Sequence, residues 1–370
     1  MKKTVYILIL TLLTAAAAKA EEITIIAVGD IMPTARALPF IKKEGFGYPY
    51  RASREILKGG DIVIGNLETP LASEGRRFED KKYTFKAPLE TASALKDAGF
   101  THMSLANNHM MDYGSEGLAY TLSTLDGAGL NYAGAGENII GARKISMSEV
   151  KGKKIAFLSY SKTYPTEFYA SKNGPGTAPG YRKFIASDLK KAAAEADIVI
   201  VAFHWGGEKL EHPRDYQKEL ARLSIDSGAD IVIGHHPHVL QGIEHYKDGV
   251  IFYSLGNFAF GSYSPSSRES IMARVVLEDG GISSVEAIPI NVNNFEVHFQ
   301  PQLFKGEKGG EVITRLSALS GPLGSSLIFA DGVGIAGKLD MITKKGDLSP
   351  LEQIQPVAAK LPVEPSRAVH

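Results

Sequence analysis

Six short apolar runs recur along the chain, and each ends in a polar turn that contains glycine or asparagine. Most of them are rich in valine and isoleucine, which is typical of buried β-strands. They are 23–28, 61–64, 102–106, 198–203, 231–234 and 250–255.

Segments of helical composition lie between most of these runs, at 49–57, 88–98, 115–128, 186–195 and 213–227. Strands that alternate with helices predict βα units, and therefore an α/β fold with a largely parallel or mixed sheet covered by helices. In such folds, ligands bind beyond the carboxyl ends of the strands. The turns that follow the strands are therefore where a functional site is expected.

The run at 231–234 leads directly into His235, His236 and His238. If the chain stays extended there, His236 and His238 point to one side and His235 points to the other. Because histidine is the commonest metal ligand, the same-side pair predicts that two imidazoles share a metal ion. The alternative is a polar turn with solvated histidines.

Side chains with metal-binding groups follow the other strands as well. Carboxylate, amide and imidazole groups together suit Mn²⁺, Fe or Zn²⁺ better than Ca²⁺, which prefers oxygen ligands alone. A carboxylate shared by two such ions would let them ionise a water and bind a phosphoryl or carbonyl oxygen. The predicted ligands are Asp30, Glu68, Asn108, His204, His236 and His238.

Each of these residues also has a structural interpretation. Asp30 and Asn108 suit helix N-caps. Glu68 suits a surface turn, and His204 suits a packed histidine that bonds to backbone. The occurrence of all of them at the same end of successive strands favours the metal site.

His109 follows Asn108 directly and is therefore expected to face elsewhere. It is a candidate general acid for a leaving group. Asp112 lies three residues further on and is predicted to orient His109, as outer carboxylates do for histidines in metal sites.

The stretch 71–86 is irregular and basic. We expect a loop over the site that holds an anionic substrate, and the alternative is a solvated basic loop. The predicted substrate-binding residues are Arg76, Arg77, Lys81 and Lys82.

A second irregular stretch, 160–181, is rich in glycine, proline, serine and tyrosine and is predicted to be a mobile loop and candidate lid. Further on, runs at 271–277 and 282–290 flank Asp279-Gly280-Gly281 and predict a hairpin. Residues 311–320 predict a helix, and 350–370 have several prolines and no periodicity, which predicts disorder.

Composition narrows the classes of partner and chemistry. Lys plus Arg and Asp plus Glu both number 41, so no overall field favours a nucleic acid. The chain has no cysteine, which excludes disulfides, thiolate metal sites and cysteine nucleophiles. Any metal must then be held by nitrogen and oxygen atoms.

Residues 1–20 have the pattern of a secretory signal peptide. Lys2 and Lys3 precede an apolar run at 5–13, and Ala18-Lys19-Ala20 fits a small-x-small cleavage site. The run is short for a membrane span. We therefore expect an exported protein, in the periplasm or at the cell surface, and the alternative is a retained N-terminal anchor.

Six motifs, in this order between about residues 23 and 260, resemble those of the CapA type of poly-γ-glutamate capsule synthesis proteins. The motifs are Gly29-Asp30-Ile31-Met32, Asn66-Leu67-Glu68-Thr69-Pro70, Ala106-Asn107-Asn108-His109 with Asp112 and Gly114, His204-Trp205-Gly206-Gly207-Glu208, Gly234-His235-His236-Pro237-His238-Val239 and Ser254-Leu255-Gly256-Asn257-Phe258.

That family is similar in fold to the calcineurin-like metallophosphoesterases, which implies a four-layer α/β/β/α sandwich with a metal site at the strand ends. The resemblance also implies that the six predicted ligands match metal-binding positions and that His109 matches the histidine that assists the leaving group. Met32 stands where the first motif of the wider superfamily has histidine, and Glu68 stands where its second motif has aspartate. The sequence is therefore compatible with either one or two bound divalent ions.

The predicted organisation is a signal peptide at 1–20, a metallophosphoesterase-like domain at 21–298, an extension packed on it at 299–349 and a tail at 350–370. The resemblance implies a metal-dependent hydrolase-like protein in the synthesis, processing or export of poly-γ-glutamate. An anionic polymer or a phosphate ester is the expected ligand, and a membrane capsule-synthesis complex is a candidate partner. The alternatives are a non-catalytic polymer-binding component with a relic metal site and a general exported metallophosphoesterase.

Overall fold

The computed structural model of the protein describes residues 22–338. The predicted signal peptide and the predicted disordered tail lie outside the described residues. The strands are β1 (Ile23–Met32), β2 (Ile62–Leu67), β3 (His102–Ser104), β4 (Asn131–Ala133), β5 (Ala135–Gly136), β6 (Ser146–Val150), β7 (Lys153–Ser161), β8 (Gly176–Thr177), β9 (Ile198–His204), β10 (Ile231–His235), β11 (Ile243–Tyr246), β12 (Gly249–Phe252), β13 (Asn257–Phe260), β14 (Glu269–Glu278), β15 (Gly281–Asn291), β16 (Gln302–Leu303), β17 (Ser325–Ala330) and β18 (Val333–Lys338).

Helices connect and cover these strands. They are α1 (Leu38–Glu44), α2 (Arg54–Lys58), α3 (Thr91–Ala98), α4 (Gly114–Gly127), α5 (Ile139–Ala142), α6 (Arg182–Glu195), α7 (Asp215–Asp226), α8 (Asn294–Val297) and α9 (Gly306–Ser320). Among the described residues, no helix is both long enough and apolar enough to cross a lipid bilayer.

The strands form two large sheets. The first has the order β17-β18-β15-β14-β1-β2-β3-β4, with β13 also beside β1 and β16 beside β15, and the second has the order β11-β12-β10-β9-β7-β6. In the first sheet β1 to β4 run parallel, and in the second β7, β9, β10 and β12 run parallel. The carboxyl ends of both parallel sets supply the turns in which the predicted ligands lie.

Side-chain alternation along the strands explains why the two sheets stack. In β1, Ile25 and Ala27 face the core between the sheets, whereas Ile26 and Val28 face the helices outside. Central strands are buried on both faces in this way, so they are apolar throughout. Leu57, Leu95 and Leu118 cover the outer face of the first sheet, and Ile185, Leu189 and Leu220 cover that of the second. The layers are therefore helix, sheet, sheet and helix, which confirms the predicted four-layer α/β/β/α sandwich.

Several elements differ from the sequence prediction. The segment predicted as a helix at 49–57 is mostly a 3₁₀ turn, Tyr48–Ser53, that continues into α2. The strand β7 was not predicted, although it lies between β9 and β6 in the second sheet. The run at 250–255 does not remain one strand: β12 ends at Phe252, and the chain then crosses to the first sheet as β13.

The second irregular stretch, 160–181, is tied to its surroundings by hydrogen bonds. It contains the short strand β8, which pairs with β5, and a 3₁₀ turn, Thr166–Phe168. Phe168 is buried and packs edge-on against Phe78 of the basic loop, with ring centroids 5.0 Å apart. The two irregular stretches therefore contact each other.

The later part of the chain enlarges the first sheet. The predicted hairpin is confirmed as β14 and β15, and the turn between them has positive φ at Asp279 and Gly280. After α9, the hairpin of β17 and β18 pairs with β15. The domain boundary at residue 298 stays a prediction.

Candidate metal centre

The ends of five strands bring the predicted ligands together between the two sheets. Asp30 lies near the end of β1, Glu68 follows β2, and His204 is the last residue of β9. The strand register sets Asp30 beside Asn66 on one neighbour and beside Asn257 on the other. All five side chains are buried, so polar atoms without partners would carry a large desolvation cost here.

The histidine turn after β10 is not extended. The strand ends at His235, whose Nε2 lies 3.2 Å from the carbonyl oxygen of Val28 in the other sheet. His236 and His238 both have positive φ, 93° and 58°, so the backbone turns sharply. The extended geometry predicted from the sequence is therefore wrong, and the two imidazoles enter different clusters of metal-ligating groups instead of one.

The first cluster consists of Glu68, His204 and His236, whose ligand atoms lie within 4.8 Å of one another. Asn108 joins it, because its Oδ1 lies 2.8 Å from His204 Nε2. Both carboxylate oxygens of Glu68 and Nδ1 of His236 are buried without a hydrogen-bond partner among the described residues. A buried carboxylate without a donor is expensive, and a cation beside it would remove that cost. The donor set of the first cluster therefore fits a divalent metal.

The second cluster consists of Asp30, Glu68 and His238, again with ligand atoms within 4.8 Å of one another. Glu68 belongs to both clusters, as a shared carboxylate would. The oxygens of Asp30 already have partners: Asn66 Nδ2 donates to Oδ1 at 2.8 Å, and the backbone N–H of His236 donates to Oδ2 at 3.2 Å. Nδ1 of His238 lies 3.1 Å from Asp30 Oδ2.

The carboxyl and imidazole groups of the two clusters shift one another's pKa values. Burial raises the pKa of Glu68 well above its ordinary value, and the charge of Asp30 adds to that effect. Burial is the largest single cause and would raise the pKa of Asp30, but the hydrogen bonds with His238 and Asn66 and the charges of His235 and His238 together lower it to about 2. Burial would lower the pKa of His238, but the charges of Glu68 and Asp30 raise it to about 10. The carboxyl groups of Glu68 and Asp30 therefore favour a positive charge beside them.

The other two imidazoles are held neutral. Burial, followed by the neighbouring His236, lowers the pKa of His204 well below its ordinary value. Burial likewise lowers the pKa of His236 to about 3. A metal ligand must be the unprotonated form of histidine, so both rings are ready to bind a cation at neutral pH.

His109 forms a separate group beside the first cluster. Its Nδ1 lies 2.6 Å from Asp112 Oδ2, and the backbone N–H of Phe85 donates to the same oxygen at 2.8 Å. Lys81 Nζ lies 2.7 Å from Asp112 Oδ1 and also donates to the carbonyl oxygen of Asn108. Burial is the largest cause that lowers the pKa of His109, and the hydrogen bond with Asp112 opposes it.

The model of the family described as bacterial capsule synthesis protein PGA_cap matches residues 24–262. The chain belongs to this family.

Two relatives in the capsule synthesis family are each 37% identical to the chain. The capsule biosynthesis protein CapA of Bacillus anthracis aligns over 279 residues, 74% of this chain and 68% of the relative. The PGA biosynthesis protein CapA of Bacillus subtilis (strain 168) aligns over 268 residues, 72% of this chain and 70% of the relative. Among solved structures, the NAD nucleotidase of Haemophilus influenzae has a TM-score of 0.46 and 15% identity over 78% of this chain and 61% of that chain.

Residues 24–262, which match the family model, include all six predicted ligands, His109 and Asp112. They also include the basic loop at 71–86. In that loop Arg76 is exposed and pairs with Glu79, and Arg77 Nε donates to Thr84 Oγ1 at 2.6 Å. The exposed Lys82 lies over the ring of Tyr83. Lys81 differs from these three, because its side chain is only 15% exposed and its ammonium points inward to Asp112.

Sequence reasoning missed three asparagines that bond the candidate ligands and His109 in this structure. Asn66 Nδ2 lies 3.2 Å from His204 Nδ1 as well as bonding Asp30. Asn107 donates to Asn66 Oδ1 and accepts from the backbone N–H of His109, and Asn257 Oδ1 lies 2.9 Å from His238 Nδ1. All three asparagines occur in the six motifs, but their spacing alone does not indicate which side chains they bond.

Proposed function

We propose that this protein is an exported, metal-dependent hydrolase-like protein that acts in the synthesis, processing or export of poly-γ-glutamate. The names of the two CapA relatives and the family match support the capsule role. The signal-peptide pattern at 1–20 supports export, to the periplasm or the cell surface, with the segment either cleaved or kept as an anchor.

The observation that carries the proposal is the state of Glu68. Its side chain is fully buried, neither oxygen has a hydrogen-bond partner among the described residues, and it lies between two groups of imidazoles. A cation resolves this arrangement, whereas a purely structural carboxylate at this depth would need donors. Nitrogen and oxygen donors together favour Mn²⁺, Fe or Zn²⁺.

The residues that would hold the cation are Glu68, His204, His236 and Asn108, with Asp30 and His238 beside them. When bound, the cation supplies Lewis-acid chemistry, which polarises a phosphoryl or carbonyl oxygen and lowers the pKa of water. His204 and His236 both feel the charge of His109, so the ring of His109 lies beside the first cluster, where the substrate would bind. Asp112 holds Nδ1 of that ring, which leaves Nε2 to exchange a proton with the leaving group.

Recognition of the polymer falls to the rim of the site. Arg76, Arg77 and Lys82 are exposed and positive, which suits the carboxylates of an extended acidic chain. Lys81 contributes positive charge from beneath, where it also holds Asp112. A phosphate ester would use the same charges. A membrane capsule-synthesis complex is the proposed setting.

The test is hydrolysis by the purified full chain, loaded with Mn²⁺ or Zn²⁺, of poly-γ-glutamate, γ-glutamyl peptides and aryl phosphate esters. We expect Glu68→Gln and His109→Ala each to reduce turnover by roughly 10²-fold or more. His212→Ala is the matched control, because that histidine is exposed and outside the site. Unchanged turnover in His109→Ala would refute the catalytic role.

A second candidate is a non-catalytic component that binds the polymer. Met32 favours it, since a thioether stands where the superfamily has an imidazole. In that case the protein would show no turnover but would be retained on immobilised poly-γ-glutamate, and neutralising Arg76, Arg77 and Lys82 would abolish retention. Turnover of aryl phosphates without any effect on the polymer would instead identify a general exported metallophosphoesterase.

A further inference from the structure

The two clusters around Glu68 are not equivalent in the hydrogen bonds that their members already make. In the first cluster the two oxygens of Glu68 and Nδ1 of His236 are buried and have no partner among the described residues. The Oδ1 of Asn108 and Nε2 of His204, 2.8 Å apart, point at each other in the same place. These atoms are uncommitted or mutually paired, so a cation can take them without breaking the surrounding protein structure.

In the second cluster the donors are committed. A carboxylate offers about four acceptor positions, and three groups already approach those of Asp30. They are Asn66 Nδ2 at 2.8 Å, the backbone N–H of His236 at 3.2 Å and His238 Nδ1 at 3.1 Å. His238 Nδ1 also lies 2.9 Å from Asn257 Oδ1. Of its three members, Glu68 and the far nitrogen of His238 are free, and Asp30 keeps only about one acceptor position.

Met32 stands at the position where the wider superfamily has a histidine. Its side chain is 1% exposed and lies on β1, two residues after Asp30. A thioether is a poor ligand for the cations that carboxylates and amides favour. The second cluster therefore offers at most three donors, one of them a largely occupied carboxylate, whereas the first cluster offers four.

The bonds of Asp30 lead instead to the first cluster. One oxygen accepts from Asn66, whose amide also contacts His204, and the other oxygen accepts from the backbone of His236. Carboxylates that orient metal-ligating histidines from outside are a common feature of metal sites. Asp30 and His238 are placed to act in that manner.

We infer that the protein binds one divalent cation tightly, in the cluster of Glu68, His204, His236 and Asn108, and that Asp30 and His238 are positioning residues for it. This inference rests on the metal dependence proposed above and refines it, because the sequence left both one ion and two ions open. A single ion leaves orientation of the substrate to the protein groups around it.

The experiment measures metal per chain and needs no substrate. The full chain is stripped with a chelator, reloaded with Mn²⁺, freed of excess metal by gel filtration and examined by elemental analysis and electron paramagnetic resonance. We expect about one Mn²⁺ per chain, with the spectrum of an isolated ion. His236→Ala should lose this ion, whereas His238→Gln should keep it. Asp30→Asn should keep it with affinity reduced roughly 10- to 100-fold.

A variant that is expected to gain a second ion gives a more specific test in the same experiment. Met32→His restores an imidazole at the missing position and should raise the content toward two ions per chain, with the spectrum of a coupled pair. Met147→His is the matched control, because that methionine is exposed on β6, and it should stay at one ion.

The outcomes separate the two proposals. Two tightly held, coupled ions in the unaltered chain, or a loss of metal in His238→Gln as complete as in His236→Ala, overturns the single-ion inference while metal dependence stands. No bound metal in the unaltered chain, under conditions where circular dichroism shows it folded, overturns both. The measurement on the unaltered chain decides even if a variant does not fold.

Discussion

The ammonium of Lys81 lies 2.7 Å from Oδ1 of Asp112, although 31 residues separate them in the chain. The carboxylate of Asp112 is fully buried and the side chain of Lys81 is 15% exposed. Lys81 also lies over the ring of Phe168, 5.4 Å from its centroid. This ion pair therefore fastens the basic loop, the 160–181 stretch and the His109 turn at one point.

Replacing Lys81 by methionine should destabilise the protein by roughly 3 kcal/mol, because it leaves the buried charge of Asp112 without its cation. The neighbouring Lys82 is exposed, so Lys82→Met is the matched control and should change the free energy of unfolding by less than about 0.5 kcal/mol. Urea unfolding of the two variants and the unaltered protein measures the difference. Equal stability of all three would contradict the structural role of this pair.

Gly29 allows β1 and β13 to meet beside Asp30. A Cβ at this position would lie 1.9 Å from the carbonyl oxygen of Gly256, which is backbone and cannot move aside cheaply. Gly29→Ala should therefore cost about 3 kcal/mol or more of stability and shift Asp30. Gly127→Ala is the control, since a Cβ there meets nothing within 4 Å and a helical alanine should stabilise by up to about 1 kcal/mol. Thermal unfolding of both variants tests the contrast.

Removal of the cation should lower thermal stability. A ligand that binds only the folded state stabilises it by about 2.7 kcal/mol when its free concentration is 100 times Kd. A chelator should therefore reduce the Tm of the reloaded protein, and added Mn²⁺ should restore it. The His236→Ala variant should show no such response, because the first cluster is broken. A response equal to that of the unaltered protein would place the cation elsewhere.

His102 links the two sheets away from the metal centre. Its Nε2 lies 3.2 Å from Ser148 Oγ on β6, and its Nδ1 lies 2.9 Å from Thr101 Oγ1. Burial, with a smaller contribution from the charge of Lys96, lowers the pKa of His102 from 6.5 to about 4. Between these values the unfolded chain binds a proton that the folded protein does not.

Stability should consequently fall as the pH is lowered from 6.5 toward 4, and this histidine should account for about 3 kcal/mol of the loss. His102→Gln removes the titrating group and should flatten the dependence over that range. His212→Gln, at an exposed position, should keep the slope of the unaltered protein. Urea unfolding at several pH values decides, and identical slopes in all three proteins would refute the assignment.

Much of the architecture could be predicted because it depends on local pattern. The apolar runs at β1, β2, β9 and β10 were found, and the turn at Asp279-Gly280-Gly281 gave the hairpin of β14 and β15. Strand β7 also has an apolar run, but it was not predicted because no candidate ligand directly follows it. The 3₁₀ start of α2 was missed because 3₁₀ and α-helices share the same composition.

The candidate site could likewise be predicted only in part. The predicted ligands, His109 and Asp112 stand at strand ends, and the sequence was enough to place them at one edge. The roles of Asn66, Asn107 and Asn257 were not predictable, since hydrogen bonds across strands depend on register. The separation of His236 from His238 depends on a positive φ angle at each of these residues, which histidine as a residue type does not predict.

The sequence by itself determined that apolar strands end in carboxylate, amide and imidazole groups, that sulfur ligands are absent, and that the chain carries the motifs of the capsule synthesis family. It could do so because strand burial and ligand chemistry are properties of residue type and spacing. Only the tertiary structure decided which of those groups keep free electron pairs for a cation and which are bound to one another. That distinction arises from contacts between two separate sheets, where Glu68 finds no donor and Asp30 finds three.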